Sequence, residues 1–417
     1  MKKNKIFGVL TSAAMCATLL AGCSSSSSTA TSGGSASTDG NASKPLVWFN
    51  RQPSNSTTGE LDMTALNWNS DTYYVGFNAT QGAELQGTMI ADYIEAHADE
   101  IDRNGDGVIG YVLAIGDVGH NDSIARTRGV RKALGTAVEK DGAIIADSLE
   151  SNKDAVQEGE ITAGGKTYKA VELASKEMKN SAGATWDAAT AGDAISAWSG
   201  TYGDQIDIVA SNNDGMGMAM FNKWSKAEGV PTFGYDANSD AVAAIAEGYG
   251  GTISQHADVQ AYLTLRVLRN ALDGVDVNTG ISVADDAGNV LEEGVDYEYN
   301  ESERSFYALN LAVTADNYKD FLDATVTYKP VSNQIEGETY KVWLDIYNAS
   351  DNFLSATYQP LLEKYDDLLN LEVEYIGGDG QTESNITNRL GNPDQYDAYA
   401  INMVKTDNAA SYTSILQ

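Results

Sequence analysis

Residues 102–126, DRNGDGVIGYVLAIGDVGHNDSIAR, contain two patterns joined by one predicted strand. In the first pattern, Asp102, Asn104 and Asp106 place side-chain oxygens at alternate positions and a glycine follows, as in the front half of a calcium-binding loop. The twelfth position, where such a loop has a bidentate Glu, is Leu113, and the apolar run around it predicts a buried strand. We therefore expect the closing carboxylate to come from elsewhere in the fold.

The second pattern is a group of polar residues directly after that strand, which comprises Asp117, His120, Asp122 and Arg126. Three other predicted strands also end in polar residues, namely Asn50, Asn212–Asp214 and Asp236. A single polar residue at a strand end is usually a turn or a helix cap. Because the carboxyl ends of parallel strands meet at one edge of a sheet, four such ends together favour a ligand cleft.

Predicted strands and helices alternate along the chain, which indicates an α/β fold with parallel sheets flanked by helices. The residues after position 43 are too many for one ordinary core and suit two lobes. The alternation stops at a predicted linker and starts again at Lys341.

Residues 1–22 are predicted to be a signal peptide, with a basic start, an apolar stretch and small residues before Cys23. This segment resembles the signal of bacterial lipoproteins, in which the cysteine is lipidated; an ordinary secretory signal is the alternative. Residues 23–43 are almost entirely small and polar, which predicts a flexible tether.

Composition excludes several classes of function. The two cysteines are Cys16 and Cys23, so the mature domain has no thiol chemistry, no disulfide and no cysteine metal site. A formal net charge of −32 argues against nucleic-acid binding and against adsorption to anionic lipid. The three histidines are far apart in the sequence, which disfavours a histidine-rich metal site.

Four segments together resemble the bacterial galactose/glucose-binding proteins, which are periplasmic sugar receptors of the type I fold. They occur in the family's order: DRNGDGVIGYVLAIGDVGHNDSIAR at 102–126, TWDAATAGDAISAW at 185–198, IDIVASNNDGMGMA at 206–219 and VPTFGYDA at 230–237. The resemblance implies two lobes, each a parallel sheet flanked by helices.

The order of the remaining segments differs from that of the family. Residues 45–76 resemble the second part of the family's N-terminal lobe. The segments that resemble the first part of that lobe come later in this chain, namely KVWLDIYNASDNFLS at 341–355 and YAINMVK at 399–405. The resemblance therefore implies a circular permutation, which compact domains tolerate. The alternative, a receptor in normal order with an unrelated tail, leaves the first lobe short of strands.

This interpretation divides the chain into segments. They are 44–75 as the second half of the N-lobe, 76–255 as the sugar-binding C-lobe, 256–305 as a return to the N-lobe with an acidic insertion, 306–323 as the end of the C-lobe, 324–340 as the joining linker, and 341–417 as the first half of the N-lobe.

The resemblance also implies the ligand contacts, since sugar receptors stack aromatic rings on the sugar and bind its hydroxyls with planar polar groups. The implied stacking pair is Phe353 and Trp186, with Tyr347 at the rim. The implied polar set is Asn50, His120, Asp122, Arg126, Asn213, Asp236, Gln255 and Asp351. Gln255 departs from the family, which has Asn there, and this bears on sugar specificity.

A calcium ion is the implied cofactor. Its ligands would be Asp102, Asn104, Asp106, the Val108 carbonyl, a water or backbone group at Gly110, and Asp207 as the distant carboxylate. Asp207 replaces the family's Glu and has a shorter reach, so we expect a weak site. A turn held by its own Asp and Asn side chains, without metal, is the alternative.

The function implied is that of an extracytoplasmic, lipid-anchored and monomeric solute-binding protein. It would capture glucose, galactose or a similar hexose and deliver it to an ATP-driven permease. A sugar sensor and a receptor for a pentose or furanose are alternatives. A glycoside hydrolase that uses Asp122, Asp236 or Asp351 is disfavoured, because we expect Arg126 and neighbouring amides to keep these carboxylates ionised.

Overall fold

The computed structural model describes residues 40–55, 61–140, 143–144, 156–285, 288–322, 334–349, 351, 353–378, 381–404 and 408–417. The predicted signal peptide, nearly all of the tether, Cys23 and most of the linker lie outside these ranges. Within them, no helix combines the length and the apolar character that crossing a membrane requires.

The first sheet has seven strands drawn from three parts of the chain, in the order β11-β12-β2-β1-β16-β14-β15. All neighbouring strands are parallel except the β11–β12 hairpin. The strands are β1 (Leu46–Asn50), β2 (Thr72–Phe77), β11 (Tyr297–Asn300), β12 (Ser305–Ala308), β14 (Tyr340–Ile346), β15 (Leu371–Gly377) and β16 (Ala398–Ile401).

Side chains alternate between two cores on the faces of this sheet, as the two-residue period of a strand requires. In β1, Val47 and Phe49 lie in one buried cluster, and Trp48 lies in the other. In β14, Leu344 joins the first cluster and Trp343 the second. Of the C-terminal strands, β14 and β16 are thus interior strands of the sheet and β15 is an edge strand. Truncating Trp343 to Ala would cost about 3–5 kcal/mol.

The second sheet has five strands in the order β6-β7-β3-β8-β9. They are β3 (Val108–Ile115), β6 (Gly159–Ala163), β7 (Lys166–Glu177), β8 (Ile208–Ser211) and β9 (Thr232–Phe233). Strands β6 and β7 form an antiparallel hairpin, and the other neighbours are parallel. Two smaller antiparallel pairs join β4 (Glu139–Lys140) to β5 (Ala143–Ile144) and β10 (Thr252–Ser254) to β13 (Leu311–Val313).

Helices cover both faces of each sheet, which confirms the predicted α/β class. They are α1 (Ala79–Ala96), α2 (Asn121–Ala133), α3 (Ala188–Tyr202), α4 (Asp214–Met220), α5 (Lys226–Glu228), α6 (Ser239–Ala244), α7 (Ala257–Leu272), α8 (Tyr318–Phe321), α9 (Gln359–Tyr365), α10 (Glu383–Leu390) and α11 (Ala409–Leu416). Two π-helical turns, at Phe221–Ser225 and Leu354–Tyr358, directly precede α5 and α9.

Four passages connect the sheets. One joins α8 to β14 through residues outside the described ranges; the others lie after Phe77 of β2, at Gln255–His256 between β10 and α7, and between β12 and β13. The last crossing corrects one predicted boundary. We expected residues 306–323 to belong wholly to the second lobe, but Ser305–Ala308 pairs with β2 in the first sheet. Leu311–Val313 then pairs with β10, so this segment contains two strands that belong to different sheets.

Candidate binding cleft between the two sheets

The polar residues predicted at the strand ends meet between the two sheets. Six charged or ionisable side chains form the centre of this region and are called the cleft cluster: Arg51, His120, Asp122, Arg126, Asp236 and Asp351. Asp122 lies in the first turn of α2, where the positive end of the helix favours an anion, and its side chain is fully buried.

Asp122 is bound by two guanidinium groups from opposite sides. Arg51 Nη1 donates to Asp122 Oδ2 at 2.6 Å, and Arg126 Nη2 donates to the same oxygen at 3.4 Å. Burial alone would raise the pKa of Asp122, but the charges of the two arginines outweigh burial and the pKa is lowered. Asp122 is therefore ionised at neutral pH, as predicted.

Asp236 behaves differently from Asp122. Arg126 Nη1 lies 3.5 Å from Asp236 Oδ1, and Gln255 Nε2 donates to the same oxygen at 2.6 Å. Burial is the dominant effect, and it raises the pKa of Asp236 to about 6 against the opposing charges of Arg126 and Arg51. At neutral pH Asp236 is still mostly ionised, but it is held in that state less firmly than Asp122.

His120 presents one ring nitrogen to the cleft. Its Nδ1 accepts a hydrogen bond from the backbone N–H of Asp122 at 3.1 Å, so Nε2 is the protonated nitrogen of a neutral ring. Burial lowers the pKa of His120 to about 3, which keeps the ring neutral at physiological pH. Nε2 is buried and has no hydrogen-bond partner among the described residues.

Two amide side chains connect the sheets. Asn50 Nδ2 donates to Gln255 Oε1 at 3.3 Å and to Gln260 Oε1 at 3.2 Å. Gln255, on a segment that crosses between the sheets, thus contacts both Asn50 and Asp236. The longer side chain at the position where the family has Asn reaches across this gap.

The two predicted stacking residues have different surroundings. Trp186 is half-buried, and its ring makes an edge contact with His120 at 5.1 Å between centroids. Phe353 is only 4% exposed and packs against Tyr358 in the core of the first sheet. Trp186 is therefore available at the cleft, whereas Phe353 serves mainly as a core residue in this arrangement.

Several cleft residues adopt backbone conformations that only glycine adopts readily. The φ angles are +62° at Asn50, +59° at Trp186, +109° at Asp236 and +50° at His256. Such conformations cost about 1–3 kcal/mol each and persist where the surrounding structure enforces them, commonly at binding sites. Their concentration here supports a functional role for this region.

Asn213 and Tyr347 lie at the edge of the cleft, and Asp351 completes the cleft cluster. Asn213 Oδ1 caps helix α4 by accepting from the N–H of Met216, which is the helix-cap role that a lone strand-end residue commonly has. Asp351 Oδ1 accepts from the N–H of Leu354 at 3.1 Å, and its Oδ2 lies 3.7 Å from Arg51. Tyr347 makes an edge contact with His120 at 6.3 Å, next to the cleft.

Arg51 is the cleft residue that the sequence interpretation missed. Its side chain is only 6% exposed and lies between Asp122 and Asp351. Its role could have been predicted from its position directly after Asn50 at the end of a buried strand, because the predicted cleft contains several carboxylates that a cation would stabilise. Gln260 and Asn402, which bond Asn50, were also missed, because their partners are remote in sequence.

The predicted calcium loop is brought next to Asp207. Asp207 accepts from the N–H of Arg103 at 3.0 Å and from that of Gly110 at 2.8 Å, at the two ends of the loop. Asp102 and Asp106 also accept from amides of the loop itself. In the described ranges no group of three or more acidic, histidine or cysteine side chains is placed to hold a metal, so a cation would compete with these amides.

Comparison with known proteins gives two matches to sequence profiles that describe a periplasmic binding protein domain. One covers residues 64–276, just over half of the chain, and the other covers residues 339–409. The D-galactose/methyl-galactoside binding periplasmic protein of Haemophilus influenzae is 27% identical over 240 residues. That alignment spans 57% of this chain and 59% of the Haemophilus protein, less than two thirds of its length.

Among solved structures, a solute binding protein of Bacillus halodurans with bound myo-inositol matches with a TM-score of 0.40 and 17% identity, over 67% of this chain and 68% of that one. A glucose-galactose binding protein of Geobacillus stearothermophilus matches with a TM-score of 0.35 and 10% identity, over 60% and 63%.

Proposed function

The chain belongs to the family of periplasmic binding protein domains, and from that premise we propose that it captures a glucose- or galactose-type monosaccharide between its two sheets. It is a binding protein and not an enzyme. A related Haemophilus protein named for D-galactose and methyl-galactoside binding supports the choice of ligand.

One observation carries the proposal. Several polar atoms of the cleft are buried yet have no hydrogen-bond partner among the described residues: Arg51 Nε, His120 Nε2, Asp122 Oδ1, Arg126 Nε and Trp186 Nε1. Leaving such groups unpaired costs about 1–3 kcal/mol each, so they favour a ligand that supplies both donors and acceptors. A sugar hydroxyl supplies both, and the C–H face of the ring suits the indole of Trp186.

The experiment that tests this proposal is a thermal-shift screen of monosaccharides followed by isothermal titration calorimetry. We expect glucose or galactose to raise the melting temperature, because a ligand that binds only the folded protein stabilises it. Pentoses and furanoses are included as the within-class alternatives. If none of these sugars changes the melting temperature, the proposed ligand class is wrong.

Delivery of the sugar to an ATP-driven permease is part of the proposal, with a sensor as the second candidate function.

The lipid anchor at Cys23 is a further part of the proposal, and it would hold the protein outside the cytoplasm on the membrane surface. Replacing Cys23 by Ala should move the protein from the membrane fraction to the soluble fraction. An unchanged membrane association would contradict lipidation at this cysteine.

The contacts of Asp236 disfavour a glycoside hydrolase, even though the pKa of its carboxyl is raised to about 6. A general acid needs a carboxyl free to reach the glycosidic oxygen, whereas Asp236 is already bonded to Gln255 and close to Arg126. The absence of turnover of a chromogenic galactoside is the expected result.

We also propose that the chain order is a circular permutation of the family's order. The support is that β14, β15 and β16 lie side by side with β1 in one parallel sheet. In addition, the matched residues 339–409 follow the matched residues 64–276. An unrelated C-terminal tail is not expected to form interior strands of this sheet.

Weak calcium binding by the loop that begins at Asp102 is proposed as well. The support is the alternation of oxygen side chains and the position of Asp207 across both ends of the loop. Calcium, when bound, would stabilise this loop and would take no part in contacting the sugar.

A further inference from the structure

Arg51 connects the two halves of the cleft. It follows strand β1 of the first sheet, and its Nη1 lies 2.6 Å from Asp122, which belongs to helix α2 beside the second sheet. Its Nη2 lies 3.7 Å from Asp351, on the segment after β14. With 6% of its side chain exposed, the guanidinium separates two carboxylates inside the protein.

Arg51 nearly balances the negative charge of the carboxylates in the cleft cluster. Three carboxylates, Asp122, Asp236 and Asp351, face two guanidinium groups, Arg51 and Arg126. His120 adds no charge, because burial lowers its pKa to about 3. Without Arg51, three acidic groups would share one cation, and buried carboxylates in that situation take up a proton or a cation.

The position of the Arg51 guanidinium also determines which ligand group can lie near Asp122 and Asp351. An ammonium group is the natural partner for a site between two carboxylates, since it donates three hydrogen bonds and carries a positive charge. Arg51 already occupies that site, and it would repel a second cation across a low-dielectric cleft. A neutral hydroxyl, by contrast, can accept from the free Nε of Arg51.

We propose that Arg51 is a specificity-determining residue that makes the cleft select neutral hexoses against cationic amino sugars. This proposal rests on the proposed function, because it assumes that a hexose occupies the cleft. It adds the basis for rejecting one class of close analogue, namely sugars with an amino group in place of a hydroxyl.

The test compares the affinities of D-glucose and D-galactose with those of D-glucosamine and D-galactosamine near pH 7, where an aliphatic amine is still largely protonated. The corresponding 2-deoxy sugars control for the missing hydroxyl. The proteins are the wild type, Arg51→Met, Arg51→Lys and Lys132→Met. Lys132 is exposed and paired with Glu84, so its variant controls for loss of one positive charge at a distance.

We expect the wild type to bind the neutral sugar at least about tenfold more tightly than the amino sugar, the size of effect of one charged hydrogen bond. Arg51→Met should lose affinity for the neutral sugar and gain it for the amino sugar, while Arg51→Lys and Lys132→Met should keep the wild-type preference. The double variant Arg51→Met/Asp351→Asn removes one carboxylate together with the arginine, and it should return the preference towards the neutral sugar.

The outcomes separate two failures. If the wild type binds a neutral hexose but Arg51→Met leaves the ratio of the two affinities unchanged, the specificity role is wrong and the proposed function stands. A wild type that binds both sugars equally also overturns the specificity role. If the wild type binds none of these sugars, the proposed function itself fails. Should Arg51→Met fail to fold, Arg51→Gln takes its place, because it removes the charge but keeps a hydrogen-bonding side chain; an unchanged ratio of the two affinities in that variant overturns the specificity role.

Discussion

The indole of Trp186 lies directly over the backbone of Gly116, so close that a β-carbon at position 116 would overlap the six-membered ring. The backbone N–H of Trp186 donates to the carbonyl of Gly116 at 3.3 Å, which fixes the two residues together. The glycine that ends strand β3 therefore sets the position of the aromatic ring in the cleft.

Gly116→Ala should therefore displace the indole. We expect the variant to lose stability by about 1–3 kcal/mol through overpacking and to bind sugar more weakly, as chemical denaturation and calorimetry would measure. Gly200→Ala, in helix α3 with open space around the added carbon, is the matched control and should be neutral or stabilising. Full sugar affinity in Gly116→Ala would show that the ring position is unimportant.

Trp186 and Phe353 should respond differently to truncation. Trp186→Ala should reduce sugar affinity by about 10- to 100-fold, since it removes an aromatic contact surface worth about 1.5–3 kcal/mol. Phe353→Ala should chiefly lower stability, by about 3–5 kcal/mol, because this ring is buried in the core. Calorimetry with glucose and denaturation of both variants separate the two roles. Unchanged affinity in Trp186→Ala would remove it from the site.

Asp351→Ala should also weaken sugar binding, because it removes a carboxylate that lies beside Arg51 and holds the N–H of Leu354. The expected loss is about tenfold or more, the effect of one hydrogen bond to a charged group. Calorimetric titration with glucose measures it. Wild-type affinity in this variant would contradict its assignment to the cleft.

Sugar affinity should depend on pH through Asp236. The pKa of its carboxyl is raised by burial from 3.8 to about 6, so its acceptor charge is lost as the pH falls through 6 and binding weakens. Stability has the opposite sign: the contribution from holding the proton is complete below pH 3.8 and is lost as the pH rises through 6. Titrations between pH 5 and 8 should flatten in Asp236→Asn, and an unchanged profile would assign the effect to another group.

Calcium should raise the melting temperature slightly, with half-saturation on the order of 0.1–1 mM, as for weak extracellular sites. The amides that already occupy Asp207 and Asp102 are the reason for weak binding. Asp106→Ala should abolish the shift. No shift in the wild type between added calcium and added chelator would favour the metal-free turn.

A reordered chain tests the permutation. Residues 334–417 placed ahead of residues 40–322, through a short linker from Gln417 to Gly40, should fold and bind the same sugar. Helix α11 packs beside the short helix Gly40–Ser43, so little chain is needed for the join. A reordered chain that is soluble but unfolded by circular dichroism would argue against interchangeable order.

The sequence predicted correctly those parts of the fold and the cleft in which one structural rule applies to several residues at once. Asn50, Asp122 and Asp236 could be placed together because parallel strands present their carboxyl ends at one edge, and Gln255 was added by the family resemblance. The strands of the C-terminal segment were predicted from their own apolar runs. Arg51 was not, because its role depends on two carboxylates from distant parts of the chain, Asp122 and Asp351.

Other differences have local causes. Phe353 was expected to face the sugar, and its ring is buried beside Tyr358, so its contact with the sugar stays a prediction. The Oδ1 of Asn213 accepts from the N–H of Met216 at the start of α4, and ligand binding by this residue also stays a prediction. The split between β12 and β13 falls at residues 309–310, and the single polar residue there, Asn310, did not reveal that the chain changes sheets.

Three of the connections between the sheets lie within the described ranges: after Phe77, at Gln255–His256, and between Ala308 and Leu311. Gln255 belongs to one of them, and its side-chain amide donates to Asp236 in the cleft. A ligand hydroxyl that replaces this hydrogen bond would change a contact of the connecting segment itself. Occupation of the cleft and the angle between the lobes would thus be coupled through one glutamine.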